Sequence, residues 1–285
     1  MKDYVALTKP RITWLILMST GVGYFFGVQK AMHAWHFLTL FHTIIGTGLI
    51  ASGTAALNQW YERVADGKMR RTQARPLPSG RLNPGRALLF AVAISAAGFV
   101  ELWFGANPLA ALLGLVTLLT YLFVYTPLKQ RSPHSTTIGS IPGAMPPLIG
   151  FAAASGTLTW DAWVLFAILF LWQFPHFYAI AWMYKEDYAR AGIRMLPVVE
   201  PDGKSTARRI MLYSIALIPI SVLPKFFAMA GNVYFYGALA LGLAFLYYGL
   251  RIRSHRTRQQ ARSVLLASVV YLPVLFSLML IDRPA

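Results

Sequence analysis

Three polar residues at helical spacing stand in an otherwise apolar stretch of the chain, namely Asn58, Glu62 and Asp66. Residues four apart lie on one face of a helix, with about 6 Å between successive side chains. Amide and carboxylate oxygens are ligands for Mg²⁺, and Mg²⁺ binds the oxygens of phosphate groups. The spacing therefore predicts a magnesium site that can hold a diphosphate. The alternative is a solvated helix end without a metal.

Basic residues follow these acids directly and recur after a later apolar segment. Ammonium and guanidinium groups are the usual protein partners of phosphate oxygens. We interpret six of them as diphosphate-binding residues: Lys68, Arg70, Arg71, Arg75, Lys129 and Arg131. For Lys68, Arg70 and Arg71 the alternative is a topological role, as positive charge beside a membrane.

A second set of polar residues follows helical spacing further along the chain. Gln173 and His176 are three residues apart, and Tyr184 and Asp187 come eight and eleven residues after His176. In a helix this spacing gives an inward polar stripe that ends in acid. Glu186 and Asp187 are a second candidate metal-binding pair, which we expect to face the first across one cavity. For His176 the alternative is a hydrogen-bonded structural role.

The elements that position these residues are expected to be membrane helices. Of the 285 residues, 56% are hydrophobic and 13% are charged, whereas about 25% are charged in a typical soluble domain. The chain is therefore predicted to be an all-α integral membrane protein. The two polar stripes are expected to face a central cavity among its helices. Apolar runs long enough to cross a bilayer predict nine transmembrane helices, near residues 12–28, 37–57, 87–106, 108–126, 138–154, 161–181, 210–230, 233–250 and 263–281.

Charge placement predicts how these helices are oriented. If the N-terminus is cytoplasmic, 23 of the 26 Lys and Arg residues fall on the cytoplasmic side, and Lys30, Lys225 and Arg283 fall on the other. Positive charge favours the cytoplasmic side of a membrane protein. Two cytoplasmic loops, about residues 58–86 and 182–209, are long and carry most of the candidate residues. We expect them to form the mouth of the active site.

The composition also excludes several classes of protein. A net charge of +16 would suit nucleic acid, but membrane topology and anionic lipid headgroups account for these cations, so no nucleic acid partner is expected. The absence of cysteine excludes disulfides, thiolate metal sites and Cys-ligated haem. No linker or repeat divides the chain, so residues 1–285 are expected to form one domain. Since no transit segment is evident, the expected location is a bacterial plasma (inner) membrane.

Longer motifs carry a resemblance to a known family. The runs are NQWYERVADGKMRRTQARPLPSGR, YTPLKQRSPHSTTIGSIPGAMPPLIG, FPHF and EDYARAGIRMLPVV. The sequence resembles the UbiA-type intramembrane prenyltransferases, and within them the branch that acts on haem. The general family pattern has Asp where this chain has Gln59 and Glu62, and a second acid where it has Ala191. These departures fit the haem branch better than the quinone branch.

The resemblance implies a function and a set of roles. It implies Mg²⁺-dependent transfer of a farnesyl group from farnesyl diphosphate to a vinyl group of haem B, with addition of water, to give haem O and diphosphate. Haem B is then a substrate, and a haem A synthase or a terminal oxidase is the implied downstream partner. The catalytic residues would be Asn58, Glu62, Asp66 and Asp187, and the haem-binding residues would be Gln173, His176 and Tyr184.

Two alternatives stay open from the sequence. One is a prenyltransferase that acts on an aromatic quinone precursor. The other, from a different class, is a polytopic transporter, which would also have many membrane helices and intramembrane polar groups. A transporter usually has its acids near the middle of the bilayer, whereas here they lie beside two long loops at one face.

Overall fold

The chain folds into helices throughout the part that the computed structural model describes, residues 1–28 and 33–284, and no strand occurs there. Lys30 lies outside the described residues. The helices of the first half are α1 (Lys2–Leu7), α2 (Pro10–Gly27), α3 (Ala34–Tyr61), α4 (Arg63–Lys68), α5 (Pro84–Gly105), α6 (Pro108–Leu119), α7 (Thr126–Leu128) and α8 (Ser135–Gly143), with a π-helix (Thr120–Tyr125) between α6 and α7. Those of the second half are α9 (Pro146–Ser155), α10 (Trp160–Met183), α11 (Lys185–Arg190), α12 (Leu196–Val199), α13 (Lys204–Phe226), α14 (Asn232–Ser254) and α15 (Arg258–Ile281).

Eight helical segments of the described chain are long and apolar enough to cross a membrane. They are α3, α5, α6 through α7 (Pro108–Leu128), α8 with α9 (Ser135–Ser155), α10, α13, α14 and α15. The predicted first span is present as α2, an 18-residue helix that is not among these eight. The prediction of an all-α, multi-pass membrane protein is confirmed, while the count of nine spans and the cytoplasmic N-terminus stay predictions.

Helices α2 and α9 approach so closely that their backbones touch. A Cβ atom added to Gly23 would overlap the carbonyl of Pro147, and one added to Gly150 would overlap the carbonyl of Thr20. Small residues permit such close packing of membrane helices, where dispersion rather than the hydrophobic effect holds helices together. This contact fixes the position of α2, and therefore of Lys9 just before it.

The segment from α8 to α9 is a broken helix. Pro142 lies inside α8 and Pro146 begins α9, and proline cannot donate the backbone hydrogen bond that a continuous helix requires. The carbonyl of Ser140 accepts a hydrogen bond from Ala144 N, between the two prolines, at 3.1 Å, and another from Gln173 Nε2 at 3.1 Å. Non-helical backbone inside a membrane is tolerated where it is buried in protein or lines a cavity. The break therefore marks a cavity wall in the fold.

Contacts between distant segments show which loops share one end of the bundle. Arg70 N lies 3.3 Å from Asp187 Oδ1, and Arg194 N donates to the carbonyl of Lys129 at 2.8 Å. At the opposite end, Arg283 donates to the carbonyls of Phe25 and Val28, at 3.0 and 2.9 Å. We call the first the loop end (residues 62–83, 129–134 and 184–203). Both loops predicted to form the active-site mouth meet there.

Candidate active site

The first acidic motif keeps helical geometry beyond the end of α3. Glu62 N donates to the carbonyl of Asn58 at 2.9 Å, and Asp66 N donates to that of Glu62 at 2.8 Å. The three side chains consequently share one face. They are only 2%, 7% and 1% exposed, which is unusual for carboxylates unless they are paired. The interpretation as a solvated helix end does not fit this burial.

Each of these polar side chains has a cationic partner. Lys129 Nζ lies 2.9 Å from Glu62 Oε1, and Arg75 donates to Asp66 Oδ2 at 2.8 Å. Lys9 Nζ donates to Asn58 Oδ1 at 3.3 Å. We call these six residues the acid–cation cluster: Lys9, Asn58, Glu62, Asp66, Arg75 and Lys129.

The charges in this cluster shift one another's pKa. Burial alone would raise the pKa of Glu62, but the charge and hydrogen bond of Lys129 outweigh burial and hold that pKa below its usual value. Burial likewise opposes the charged form of Lys129, yet Glu62 raises its pKa well above the ordinary lysine value. Burial and the charges of Arg75 and Lys129 lower the pKa of Lys9 to about 7. Positive charge is thus in excess, and an anion entering the cluster would relieve it.

Lys9 is the member of the cluster that the site prediction missed. It precedes α2 with a left-handed backbone (φ 48°, ψ 60°), which is uncommon for a residue other than glycine. Such backbone geometry is found preferentially at functional sites. The available signal was a lysine directly before Pro10 at a membrane boundary, within the Thr8-Lys9-Pro10-Arg11 sequence.

The second acidic motif meets the first loop but faces a different space. Asp187 is 8% exposed, lies 3.3 and 3.4 Å from the backbone N atoms of Arg70 and Arg71, and forms an ion pair with Arg190. Glu186 is exposed beside it. These residues border a polar pocket of about 440 Å³, which we call the arginine pocket, lined by Arg70, Arg71, Met183, Tyr184, Glu186, Asp187, Arg190 and Arg258.

The predicted diphosphate-binding residues therefore divide into three groups. Arg75 and Lys129 belong to the acid–cation cluster. Arg70 and Arg71 line the arginine pocket. Lys68 and Arg131 are exposed, and neither side chain forms an ion pair or hydrogen bond with another described residue.

The three predicted haem-binding residues have different neighbours in the structure. The amide of Gln173 is buried and donates to the carbonyls of Ser140 and Leu169. His176 Nδ1 lies 2.8 Å from Ser268 Oγ of α15. Tyr184 lines the arginine pocket. Their role in haem binding stays a prediction.

The chemistry of the donor set fits a hard divalent cation. Within residues 1–28 and 33–284 no group of three or more His, Asp or Glu side chains is placed to hold a metal. The buried face of the acid–cation cluster nevertheless offers one amide and two carboxylates, from Asn58, Glu62 and Asp66. Oxygen ligands of this type are those that Mg²⁺ takes, usually together with water and substrate phosphate.

An apolar cavity leads from the acid–cation cluster into the membrane region. Its volume is about 130 Å³, and its wall includes Lys9, Thr47, Thr54, Tyr121 and Pro142. The hydroxyl of Thr47 is buried without a hydrogen-bond partner among the described residues. The cavity thus joins charged groups at the loop end to an apolar space between helices, an arrangement suited to a molecule with an anionic head and a hydrocarbon chain.

Sequence comparison identifies the family. The UbiA prenyltransferase family matches residues 16–272 of the chain. The chain belongs to the UbiA prenyltransferase family. The resemblance drawn from the motifs is confirmed, and the protein is a prenyltransferase.

Relatives in the family match the chain from end to end. It is 67% identical over 290 residues to the protoheme IX farnesyltransferase of Solibacter usitatus, with 100% of this chain and 99% of the relative covered. It is 48% identical over 293 residues to that of Koribacter versatilis, with 99% and 94% covered.

Solved structures of the family share the fold. The structure of a digeranylgeranylglyceryl phosphate synthase superposes with a TM-score of 0.81 at 16% identity, covering 99% of this chain and 98% of that one. A UbiA homologue from Archaeoglobus fulgidus bound to GPP and Mg²⁺ superposes with a TM-score of 0.66 at 18% identity, covering 97% and 99%. At these identities the likeness establishes the fold alone.

Proposed function

We propose that this protein transfers the farnesyl group of farnesyl diphosphate to a vinyl group of haem B, with addition of water, to give haem O and diphosphate. The observation that carries the proposal is full-length identity of 67% to a protoheme IX farnesyltransferase. The acid–cation cluster supports the same reaction, because it combines buried carboxylates with cations that suit a diphosphate. Gln59 and Glu62, where the general pattern has Asp, favour haem over a quinone precursor as acceptor.

The reaction breaks three bonds, namely the farnesyl C–O bond, the vinyl π bond and one O–H bond of water, and it forms one C–C bond and one C–O bond. The C–O bond between farnesyl and diphosphate breaks, and the diphosphate leaves with the bonding electrons. The π electrons of the haem vinyl group form a carbon–carbon bond to the farnesyl carbon. Water then adds its oxygen to the cation left on the vinyl group and releases a proton to solvent. No protein nucleophile is needed for any of these changes.

The cations of the cluster stabilise the leaving diphosphate. Arg75 and Lys129 form ion pairs with Asp66 and Glu62 at 2.8 and 2.9 Å. Their remaining N–H groups can donate hydrogen bonds to phosphate oxygens without a change of position. Because these groups are fixed before the substrate arrives, little reorganisation is needed as negative charge develops. Removing one such stabilising group from an active site typically lowers the rate about 10²–10³-fold.

Asn58, Glu62 and Asp66 are the residues that would hold Mg²⁺, and the ion would supply positive charge that further stabilises the departing diphosphate. Asp187 stands beside the same loop, where its contacts with the backbone of Arg70 and Arg71 hold the loop in place. The apolar cavity beside Lys9, of about 130 Å³, would take the allylic end of the hydrocarbon chain and keep water from the allylic cation. Tyr121 in its wall offers a π face to that cation.

The location and organisation of the protein form part of the proposal. The positive-inside bias supports a loop end on the cytoplasmic side. The active site would then lie in the bacterial plasma membrane and open to the cytoplasm. Residues 1–285 would act as one domain. Conversion of haem O by a haem A synthase, or its use by a terminal oxidase, stays a prediction from family analogy.

The proposal is tested by weighing the haem product. The purified full-length protein in lipid is incubated with haem B, farnesyl diphosphate and Mg²⁺, and the extracted haem is analysed by mass spectrometry. We expect a mass gain that corresponds to one farnesyl group plus water. A parallel reaction contains an aromatic quinone precursor in place of haem. No gain on haem, or a gain on the quinone precursor alone, would refute the proposed acceptor.

A further inference from the structure

The arginine pocket holds more positive charge than the residues around it neutralise. Its wall contains four arginines but only two carboxylates. Arg190 forms an ion pair with Asp187. Across the described chain, the guanidinium groups of Arg70, Arg71 and Arg258 have no carboxylate within 4.0 Å, and none of the three donates a side-chain hydrogen bond to protein. A net excess of two positive charges remains.

Two of these guanidinium groups, those of Arg71 and Arg258, converge on one aromatic ring. The Arg71 guanidinium stands 5.1 Å from the centre of the Tyr184 ring, and that of Arg258 stands 6.0 Å from it. The two guanidinium carbons are therefore at most about 11 Å apart, close to the screening length of about 10 Å in 0.1 M salt. Arg71 comes from the first loop and Arg258 from the start of α15, so folding brings together two like charges that have no partner of their own. An anionic ligand would explain this arrangement.

The pocket is separate from the groups that suit the diphosphate. Asp66 and Glu62 form ion pairs with Arg75 and Lys129, and none of these four side chains lines the arginine pocket. The pocket lies at the loop end of α10, and Met183 in its wall lies seven residues after His176, or about 10 Å along the helix. The interface of α10 and α15 thus runs from the pocket to His176 and Ser268 inside the membrane region.

We propose that the arginine pocket binds the two propionate carboxylates of the haem acceptor, with Arg71 and Arg258 as their main partners. The inference rests on the proposed function and names the anchoring site of its acceptor. Two carboxylates match the excess of two positive charges, and guanidinium groups bind carboxylates through paired hydrogen bonds. The propionates and vinyl groups occupy different edges of the porphyrin, so anchoring the propionates at the loop end directs a vinyl edge into the membrane. Arg70 and Arg71, grouped with the diphosphate by sequence, are thereby assigned to haem.

The proposal is tested with Arg258→Gln, in full-length protein reconstituted in uncharged lipid. Arg258 is exposed on the first turn of α15, so its replacement leaves the core intact. We expect the KM for haem B to rise about tenfold, as for loss of one charge-assisted hydrogen bond, with the KM for farnesyl diphosphate changed less than twofold. Haem titration by absorbance, without farnesyl diphosphate, should show the same weakening. The matched control is Arg256→Gln, two residues earlier and outside the pocket.

A chemical change in the ligand completes the test. Haem B dimethyl ester, in which both propionates are uncharged, should bind wild type at least as weakly as haem B binds Arg258→Gln, because it loses both charged contacts. The variant should bind the ester no more weakly than wild type does. Equal weakening of haem and ester by the substitution would overturn the proposal. A rise in the KM for farnesyl diphosphate would also overturn it, because the pocket would then belong to diphosphate. So would a weakening of haem binding that appears in a parallel reconstitution with anionic lipid but not in uncharged lipid, because the pocket would then belong to lipid headgroups. If wild type makes no farnesylated haem, the proposed function fails, while the titration still reports on the carboxylate site.

Discussion

The ion pair between Lys129 and Glu62 allows folding stability and catalysis to be separated by substitution. Its side chains are 11% and 9% exposed, and Lys129 Nζ lies 2.9 Å from Glu62 Oε1. Lys129→Met leaves the Glu62 carboxylate buried without its nearest cation, and such losses cost about 3–5 kcal/mol. Lys9 also lowers the pKa of Glu62 and remains in place. We therefore expect the free energy of unfolding to fall by about 3 kcal/mol, the lower end of that range.

A second variant removes both charges. In Lys129→Met with Glu62→Gln no unpaired carboxylate remains, so we expect stability to return to within about 1–2 kcal/mol of wild type. Farnesyl transfer should stay at least about 100-fold below wild type in both variants, because the proposed roles of Lys129 and Glu62 toward diphosphate and metal are lost. Stability would recover while activity would not.

The assay is thermal unfolding in detergent alongside the haem mass measurement. The control is Lys204→Met, because Lys204 lies 3.7 Å from Asp202 in a pair whose side chains are 74% and 55% exposed. Exposed pairs contribute less than about 1 kcal/mol, so little change in stability is expected there. If Lys129→Met unfolds like this control, the buried ion pair does not form. If the double variant regains activity together with stability, the pair is structural only.

Further substitutions test the metal, the acids and the packing. Asp66→Asn should lower turnover by at least about 100-fold in a protein that remains folded, and full activity would refute its proposed role. EDTA should abolish turnover and added Mg²⁺ should restore it, whereas activity that survives EDTA would remove the metal from the mechanism. Gly150→Ala should lower stability by about 1–3 kcal/mol, because its Cβ overlaps the carbonyl of Thr20. Gly21→Ala in α2 is its control, since a Cβ there meets nothing within 4 Å; equal thermal unfolding of both would contradict the close contact.

The helices could be predicted because membrane insertion imposes a length and an apolar composition that the sequence displays. The largest shift in a boundary is in α13, which begins at Lys204 rather than near residue 210. The first two turns of α13 carry Arg208 and Arg209. A search for apolar runs therefore begins the span after these residues, although the helix itself begins earlier. The break in the fifth span was also predictable, because Pro142 and Pro146 act locally on the backbone.

The acids of the site could be predicted for the same local reason, since a four-residue spacing places them on one face of a helix. The cations could not be assigned in this way, because loop turns and helix packing direct them. Thr72 donates to the carbonyl of Asp66 at 2.8 Å, and Arg75 N donates to that of Thr72 at 2.9 Å. This turn directs Arg75 back to Asp66 and leaves Arg71 facing the other pocket. Lys9 reaches the site only through the packing of α2.

The charge balance of the two anion sites explains why one of them needs a metal. The acid–cation cluster has three cations and two carboxylates, and one of the cations, Lys9, has a pKa lowered to about 7. Its excess positive charge is therefore at most one, which is too little for a diphosphate, and its own carboxylates can recruit the missing charge as Mg²⁺. The arginine pocket has an excess of two and needs no ion to bind two carboxylates. Removing divalent metal should consequently impair the binding of farnesyl diphosphate and leave the binding of haem unchanged.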